Sequence, residues 1–412
     1  MSDEVRNSHQ ELSNVSPFPP GPPEPDSPIP GIKRNVFILG ITSFLTDLSS
    51  ETVYPLVPIF LTSVLGVPYS VVGLIEGIAE STASVVKVFS GWLSDRWQRR
   101  RGLAILGYGI SSVAKPLMAA ATAWPIVLVL RFGDRLGKGI RNAPRDALIA
   151  DSSEPATRGR AFGFHRAADT AGAALGSLLA LAVLGFAGER FRLIFLISAI
   201  PAVLGVASLF LVRERLHARR PSRPPRLSLS QFDRRFNMFL LASAVLALGN
   251  SSDAFLILRA QNLGLSAFAA VLAYVIYNLT YGAFSMPSGS LSDRIGRRRV
   301  IAAGFVVFSL VYLGFGLAPS SAAVWPLFAV YGLYMAMTEG VGKAFAADIA
   351  PPHARGTALG TYYTVTGLLT FFSSLIAGIL WDSLGPRAPF FMGSALGLAA
   401  TALLLLALRE RR

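Results

Sequence analysis

From residue 35 to residue 408 the chain alternates apolar runs of about twenty residues with short polar breaks. At 1.5 Å of rise per residue, a run of that length crosses the ~30 Å hydrocarbon core of a bilayer. The pattern predicts twelve helices, at 35–63, 70–93, 103–122, 125–148, 160–184, 191–212, 236–260, 267–289, 300–318, 325–349, 357–380 and 388–408. The fourth has the poorest hydropathy, because charges interrupt it. Residues 1–32 show no periodicity. Their "SPFPPGPPEPDSPIPG" is Pro-rich and predicts a disordered tail. The tail lacks the basic start and apolar core of a signal peptide.

Charge orients the helices. "KR" at 33–34, "DRWQRRR" at 95–101, "RERLHARRPSRPPR" at 213–226, "DRIGRRR" at 293–299 and "RERR" at 409–412 fall in alternate breaks, while "LGVPYS", "TAW" and "APSSAAVW" carry no charge. The basic breaks are expected in the cytoplasm. This predicts a multi-pass protein of the cytoplasmic (inner) membrane with both termini inside. The net charge of +14 then reflects topology, and nucleic acid is not expected as a partner. Only 15% of residues are charged, against about 25% in soluble proteins. The predicted organisation is a tail at 1–32, a six-helix bundle at 33–212, a basic linker at 213–235, a second six-helix bundle at 236–408 and a basic end at 409–412.

The two bundles repeat one another. "GWLSDRWQRRR" begins at Gly91 and "GSLSDRIGRRR" at Gly289, and eight of the eleven positions agree. "DSSEPATRGRAFG" from Asp151 parallels "DIAPPHARGTALG" from Asp348, and "LSSE" at 48–51 parallels "NSSD" at 250–253. Paired halves related by an axis along the membrane normal are a transporter pattern. The repeated loop resembles the signature of the major facilitator superfamily, and the likeness spans residues 35 to 408. The first copy departs from it at Gln98, where the family has Gly, so the turn there is expected to differ. "RFGDRLGKG" resembles the family's Arg-led motif of helix 4 in two registers, with either Arg131 or Arg135 as the leading Arg. "DRLGKGIRNAPRD" is similar to a branch from bacteria and archaea. The resemblance implies an all-α membrane protein, twelve helices in two pseudo-symmetric bundles around a central cavity. It also implies a cytoplasmic gate. Gly91, Asp95, Arg96 and Arg99 with Asp151 and Arg158 would form one side, and Gly289, Asp293, Arg294 and Arg297 with Asp348 and Arg355 the other. Asp95 and Asp293 are expected to pair with Arg residues at the ends of neighbouring helices.

The fourth helix poses the chemical question. "RFGDRLGKGIRNAPRD" places Arg131, Asp134, Arg135, Lys138, Arg141, Arg145 and Asp146 within sixteen residues. At 100° per residue they occupy an arc of about 140°, with Phe132, Leu136, Ile140, Ala143 and Ala147 opposite. Counted from Trp124, Arg131 lies roughly 10 Å deep and Lys138 roughly 20 Å deep. An unpaired charge there costs at least about 2.5–3.5 kcal/mol, so the charged face must meet acids or line a wet cavity. Asp47 and Glu51 on helix 1, with Ser50 and Tyr54 on the same face, and Glu76 and Glu80 on helix 2 supply acids at i, i+4 spacing. Asp169 lies on helix 5, Lys87 on helix 2 and Lys115 on helix 3. Asp47, Glu51, Glu76, Glu80 and Asp169 are the candidates for carrying a proton, with Asp47 or Glu51 favoured.

The second half is poor in charge and rich in Tyr. Tyr274, Tyr277, Asn278, Tyr281 and Phe284 recur along helix 8, Tyr331, Tyr334, Met335 and Met337 along helix 10, and Tyr362 and Tyr363 adjoin on helix 11. Such a stripe packs a core or walls a site for a lipophilic, cation-tolerant substrate. Tyr54, Asn250, Asp253, Tyr274, Tyr277, Asn278, Tyr281 and Tyr334 are the candidate substrate contacts. Gly172 and Gly176 on helix 5 allow close packing. "DTAGAALGSLLA" is only loosely similar to the family's antiporter motif, because the Gly-Pro step is missing.

These residues point to a secondary transporter working by alternating access, exporting a small amphipathic compound against protons. The partners are a small-molecule substrate, protons and the bilayer, and the chain is expected to act as a monomer. A proton moving through 100 mV yields ~2.3 kcal/mol. The alternative is uptake or facilitated passage of an organic anion on the basic face of helix 4. Divalent-cation export on the four acids and a membrane sensor are further readings. Without Cys there is no thiolate site, and no P-loop, H-E-x-x-H or G-x-S-x-G is present. No enzyme, cofactor or metal is expected.

Overall fold

A computed structural model describes residues 27–97, 99–154, 157–214, 232–351 and 354–407. The Pro-rich tail up to residue 26, most of the basic linker and the final "RERR" lie outside them. Among the described residues the elements are helices: α1 (Arg34–Val64), α2 (Tyr69–Trp97), α3 (Arg100–Ala120), α4 (Trp124–Asp151), α5 (Arg158–Ala187), α6 (Phe191–Leu209), α7 (Arg234–Asn262), α8 (Ala267–Ile295), α9 (Arg297–Leu317), α10 (Ser321–Asp348), α11 (Arg355–Leu384) and α12 (Ala388–Ala407). Ten of these are long and apolar enough to cross a membrane. The other two, α2 and α4, are 29 and 28 residues long and fall short by charge, not by length.

Two helices depart from the simple spans read from hydropathy. Pro55 and Pro58 remove two amide donors from α1, which turns 3₁₀ at Tyr54–Leu56 and ends in a π turn at Phe60–Val64. The expected helix at 236–260 is two pieces, Arg234–Gly249 and Ala254–Asn262. Between them the run Asn250, Ser251, Ser252, Asp253 offers side chains that compete for backbone groups. The Ser252 amide is held instead by the Ser374 hydroxyl at 3.1 Å.

Helix pairing repeats with a step of six. α1 packs on α5 and α6, α2 and α3 on α4, and α3 on α6. The same pairs recur as α7 on α11 and α12, α8 and α9 on α10, and α9 on α12. Two seams join the halves, α2 against α11 and α5 against α8, and the same step exchanges them.

The α2–α11 seam is tight along its length because glycines face backbone. A Cβ on Gly378 would sit 2.7 Å from the Ser70 Cα, one on Gly77 2.8 Å from the Phe371 carbonyl oxygen, and one on Gly367 2.8 Å from the Ser84 hydroxyl. At the end away from the basic loops, Asp382 accepts from the amides of Tyr69 (3.1 Å) and Ser70 (2.8 Å), which caps α2 from the other half. The Tyr69 and Trp381 rings stack beside it at 4.5 Å.

Gly77→Ala should therefore destabilise the protein by about 1–3 kcal/mol, the range for overpacking a close contact. Gly109→Ala, where a Cβ meets nothing within 4 Å, should not. Thermal unfolding in detergent compares them, and equal midpoints would show that the seam yields.

Candidate functional site

The charged stripe of α4 turns inward. Gly137 faces α3, where a Cβ would lie 2.7 Å from the Ser111 hydroxyl, and Gly139 faces α2, 2.7 Å from the Val86 Cβ. This approach buries Arg131, Arg135 and Arg141, while Phe132 on the opposite face is exposed. α2 and α4 run in the same direction, so acids one turn apart meet cations one turn apart. Arg131 donates to both oxygens of the fully buried Glu76 at 2.6–3.1 Å. Arg135 pairs with Glu80 at 2.9 Å. Asp134 stands 3.9 Å from Arg131 on its own helix. About two turns farther along, Arg141 reaches Asp47 of α1 at 3.8 Å, and beyond it Arg145 pairs with its neighbour Asp146 at 2.9 Å.

Lys138, Glu51, Asp253 and Lys115 make no ion pair among the described residues. Lys138 makes no hydrogen bond among them either. Glu51 lies in the field of Lys138 and Arg135 and accepts only from the Tyr274 hydroxyl, at 3.4 Å. Asp253, at the break in α7, accepts from the Tyr331 hydroxyl at 2.7 Å. Lys115, also buried, donates to the Ser50 hydroxyl at 3.0 Å and the Thr46 carbonyl at 3.5 Å.

A cavity of about 950 Å³ opens between α5 and α8 and reaches Asp47 of α1. Asp47, Arg166 and Asp169 line one wall, and Asn278, Tyr281, Glu339 and Lys343 the other. Asp169 accepts from the Ser43 hydroxyl at 2.6 Å and from Arg166 at 3.1 Å, and its carboxyl adjoins that of Asp47. Across the cavity Glu339 holds Lys343 at 2.6 Å and the Tyr281 hydroxyl. Gly289, Asp293 and Arg297 form its rim at the basic-loop end.

The Tyr candidates divide by depth. Tyr281 and Asn278 face the open cavity. Tyr274, Tyr277, Tyr331 and Tyr334 are buried. They form a run of rings that starts at Tyr54, with Tyr54–Tyr274 at 5.9 Å, Tyr274–Tyr277 at 5.3 Å, Tyr277–Tyr331 at 5.1 Å and Tyr331–Tyr334 at 5.4 Å. Asn250 donates to Tyr334 at 3.2 Å and accepts from Tyr312 at 3.2 Å. Tyr54 also lies beneath Arg131 and Arg135, 5.3 Å from each. The halves therefore meet through Glu76 and Ser252 (3.5 Å), Glu51 and Tyr274, and Tyr54 and Tyr274. Sequence reasoning missed Ser252, Ser374 and Arg166. Arg166 stood three residues before Asp169, a helical ion-pair spacing.

In the second repeated loop Asp293 lies 3.6 Å from Arg297, the first residue of the neighbouring helix α9, and Asp348 of α10 takes that Arg at 2.7 Å. In the first copy Arg100, not Arg99, pairs with Asp151. Arg101 then donates to the Phe210 carbonyl at 2.9 Å, as Arg298 does to that of Leu405 at 2.6 Å. The shift of one residue follows the missing glycine. Gly296 turns at φ +96° and α9 starts at Arg297, whereas α3 starts at Arg100. Gln98 and the Asp95 side chain lie outside the described residues. Arg96 covers the Trp92 ring at 5.4 Å, and Arg158 donates to the Ala150 carbonyl at 3.5 Å. Arg294 and Arg355 reach no carboxylate among the described residues, and a Cβ on Gly289 would meet nothing while one on Gly91 would touch Ala143. Each described pair clips a loop to its own half, and the rim between the halves stays open.

Comparison with known proteins agrees with this architecture. The sequence profile of the Major Facilitator Superfamily matches residues 39–258 and 227–412. An uncharacterised MFS-type transporter of Methanocaldococcus jannaschii is 38% identical over 91% of this chain and 95% of its own. A probable 4-methylmuconolactone transporter of Cupriavidus pinatubonensis is 27% identical over 79% of each chain. The crystal structure of a peptide transporter, POT, in complex with sulfate superposes with a TM-score of 0.78 at 14% identity, covering 94% of this chain and 96% of that one.

Removing one member of the innermost pair leaves a buried charge. Glu76→Gln should cost about 3–5 kcal/mol, and Glu76→Gln combined with Arg131→Gln much less. Unfolding of the two single variants and the double variant forms the cycle. A double variant as unstable as the sum of its parents would show that the pair is not coupled.

Proposed function

Because the chain belongs to the Major Facilitator Superfamily and is a transporter, not an enzyme, we propose that it is a proton-coupled secondary transporter that exports a small amphipathic compound. α1 to α12 are then twelve membrane spans in two bundles, the basic loops and both termini are cytoplasmic, and the protein works as a monomer in the cytoplasmic membrane. The cavity, open at the basic end, is the cytoplasm-facing state of alternating access.

The observation that carries this reading is the pair Asp47 and Asp169 on the wall of the cavity. Glu76 and Glu80, held by Arg131 and Arg135 away from the cavity wall, serve as framework. Two adjoining carboxyl groups can share one proton, and both face the volume that a substrate would fill. Ala173, Ala174, Val275, Leu279 and Ala336 make most of the remaining wall apolar. About 950 Å³ suits a drug-sized molecule. Substrate entry and proton loss at this pair are then linked, because each changes the charge that the other meets.

Lys138 supports a second reading. Making no direct ion pair among the described residues, its side chain suits the carboxylate of an organic anion. Divalent-cation export fits less well, since Glu76, Glu80 and Asp47 already face guanidinium groups.

The test is flux in proteoliposomes under an imposed pH gradient, with a panel of lipophilic cations, neutral amphipaths and organic acids. Asp47→Asn should abolish gradient-driven accumulation and leave exchange of substrate across the membrane intact. Glu51→Gln should retain the coupling and change apparent affinity. Coupled flux surviving in Asp47→Asn, or anion flux indifferent to the gradient, would remove the proposal.

A further inference from the structure

The two seams between the halves are equivalent by the repeat but differ in closure. α2 and α11 are in close contact from Ser70 to Ser84. α5 and α8 approach at the opposite end from the basic loops, where a Cβ on Gly185 would lie 3.8 Å from the Phe268 ring. Toward the basic end the large cavity lies in the gap between them. Asp169, Ala173 and Ser177 on α5 and Val275, Leu279, Ala283 and Met286 on α8 line it at one-turn spacings.

The gap has apolar lips and a polar back. Met286 and Leu279 line the cavity and are nevertheless 82% and 60% exposed. Leu175, Leu178 and Phe284 beside them are also exposed. Against water such a surface costs about 25 cal/mol per Å², and against acyl chains it costs nothing comparable. Behind the lips stand Asp47, Asp169 and Arg166. Between them Ala173, Ala174, Gly282 and Ala283 leave width for a chain.

We infer that the α5–α8 gap is a lateral slot open to the cytoplasmic leaflet, through which an amphipath dissolved in the bilayer enters tail-outward with its head at Arg166, Asp169 and Asp47. The α2–α11 seam admits none. The inference rests on the transporter reading for the direction of traffic. Lipid access to the slot is measured without transport, so the two can fail separately.

The chain contains no cysteine, so single-Cys variants need no background removal. Ala174→Cys, inside the slot, and Leu178→Cys, on the bilayer face, are labelled with bimane. Both are reconstituted in vesicles of phosphatidylcholine and phosphatidylglycerol, with or without bromine in the acyl chains. Brominated lipid should reduce fluorescence at position 174 to an extent comparable with position 178. Iodide in the aqueous phase should quench 174 and not 178. Gly282→Trp, which fills the slot, should remove the bromolipid effect at 174. Quenching at 174 by iodide alone would make the gap a water-filled cleft closed to lipid, and quenching by neither would make it shut. Either result overturns the inference, whatever the flux assays show.

Discussion

The buried ion pair of Glu76 and Arg131 is the constraint on which the N-terminal half depends. Arg131 is almost wholly buried, so α4 can take its place in the fold only with α2 turned to face it. That requirement sets the rotation of both helices. It puts Glu80 opposite Arg135 and directs the rest of the stripe toward α1. It also explains why α2 and α4 are the two most charged helices: Glu76, Arg131, Asp134, Arg135 and Arg141 are all buried inside the protein.

What remains after the ladder is formed defines the chemistry. A fully neutralised interior would be a scaffold. Here Glu51, Lys138 and Asp253 make no direct ion pair among the described residues, and Asp47 is only loosely held by Arg141. Glu51 lies just before the Pro-bearing turns of α1, and Asp253 lies at the Asn250–Asp253 break in α7. Irregular backbone at membrane depth is tolerated where side chains or a cavity satisfy it, and Ser374 and the Tyr hydroxyls do so here.

Much of this was legible in the residues. The direction of the α4 stripe followed from its periodicity, and the need for acids followed from its depth. The i, i+4 spacing on α1 and α2 named those acids. Which acid met which cation did not follow, because that depends on where helices cross. The break in α7 was marked by Gly249 and a run of turn-forming residues inside an apolar stretch, a signal that hydropathy smooths away. Tyr spacing could not separate Tyr281, on a cavity wall, from Tyr331, in the core, since both kinds of face repeat every turn. The departure at Gln98 was visible, but its effect, a one-residue slip in which Arg meets Asp151, appears only in the helix starts.

The cap that Asp382 places on α2 has a consequence for the reverse stroke. It joins the halves at the end farthest from the open rim. In the proposed alternating-access cycle, presenting the cavity to the other side would require α2 to surrender the two hydrogen bonds on its first turn and the Tyr69 ring to leave Trp381. On that cycle the fulcrum of one half is the latch of the next.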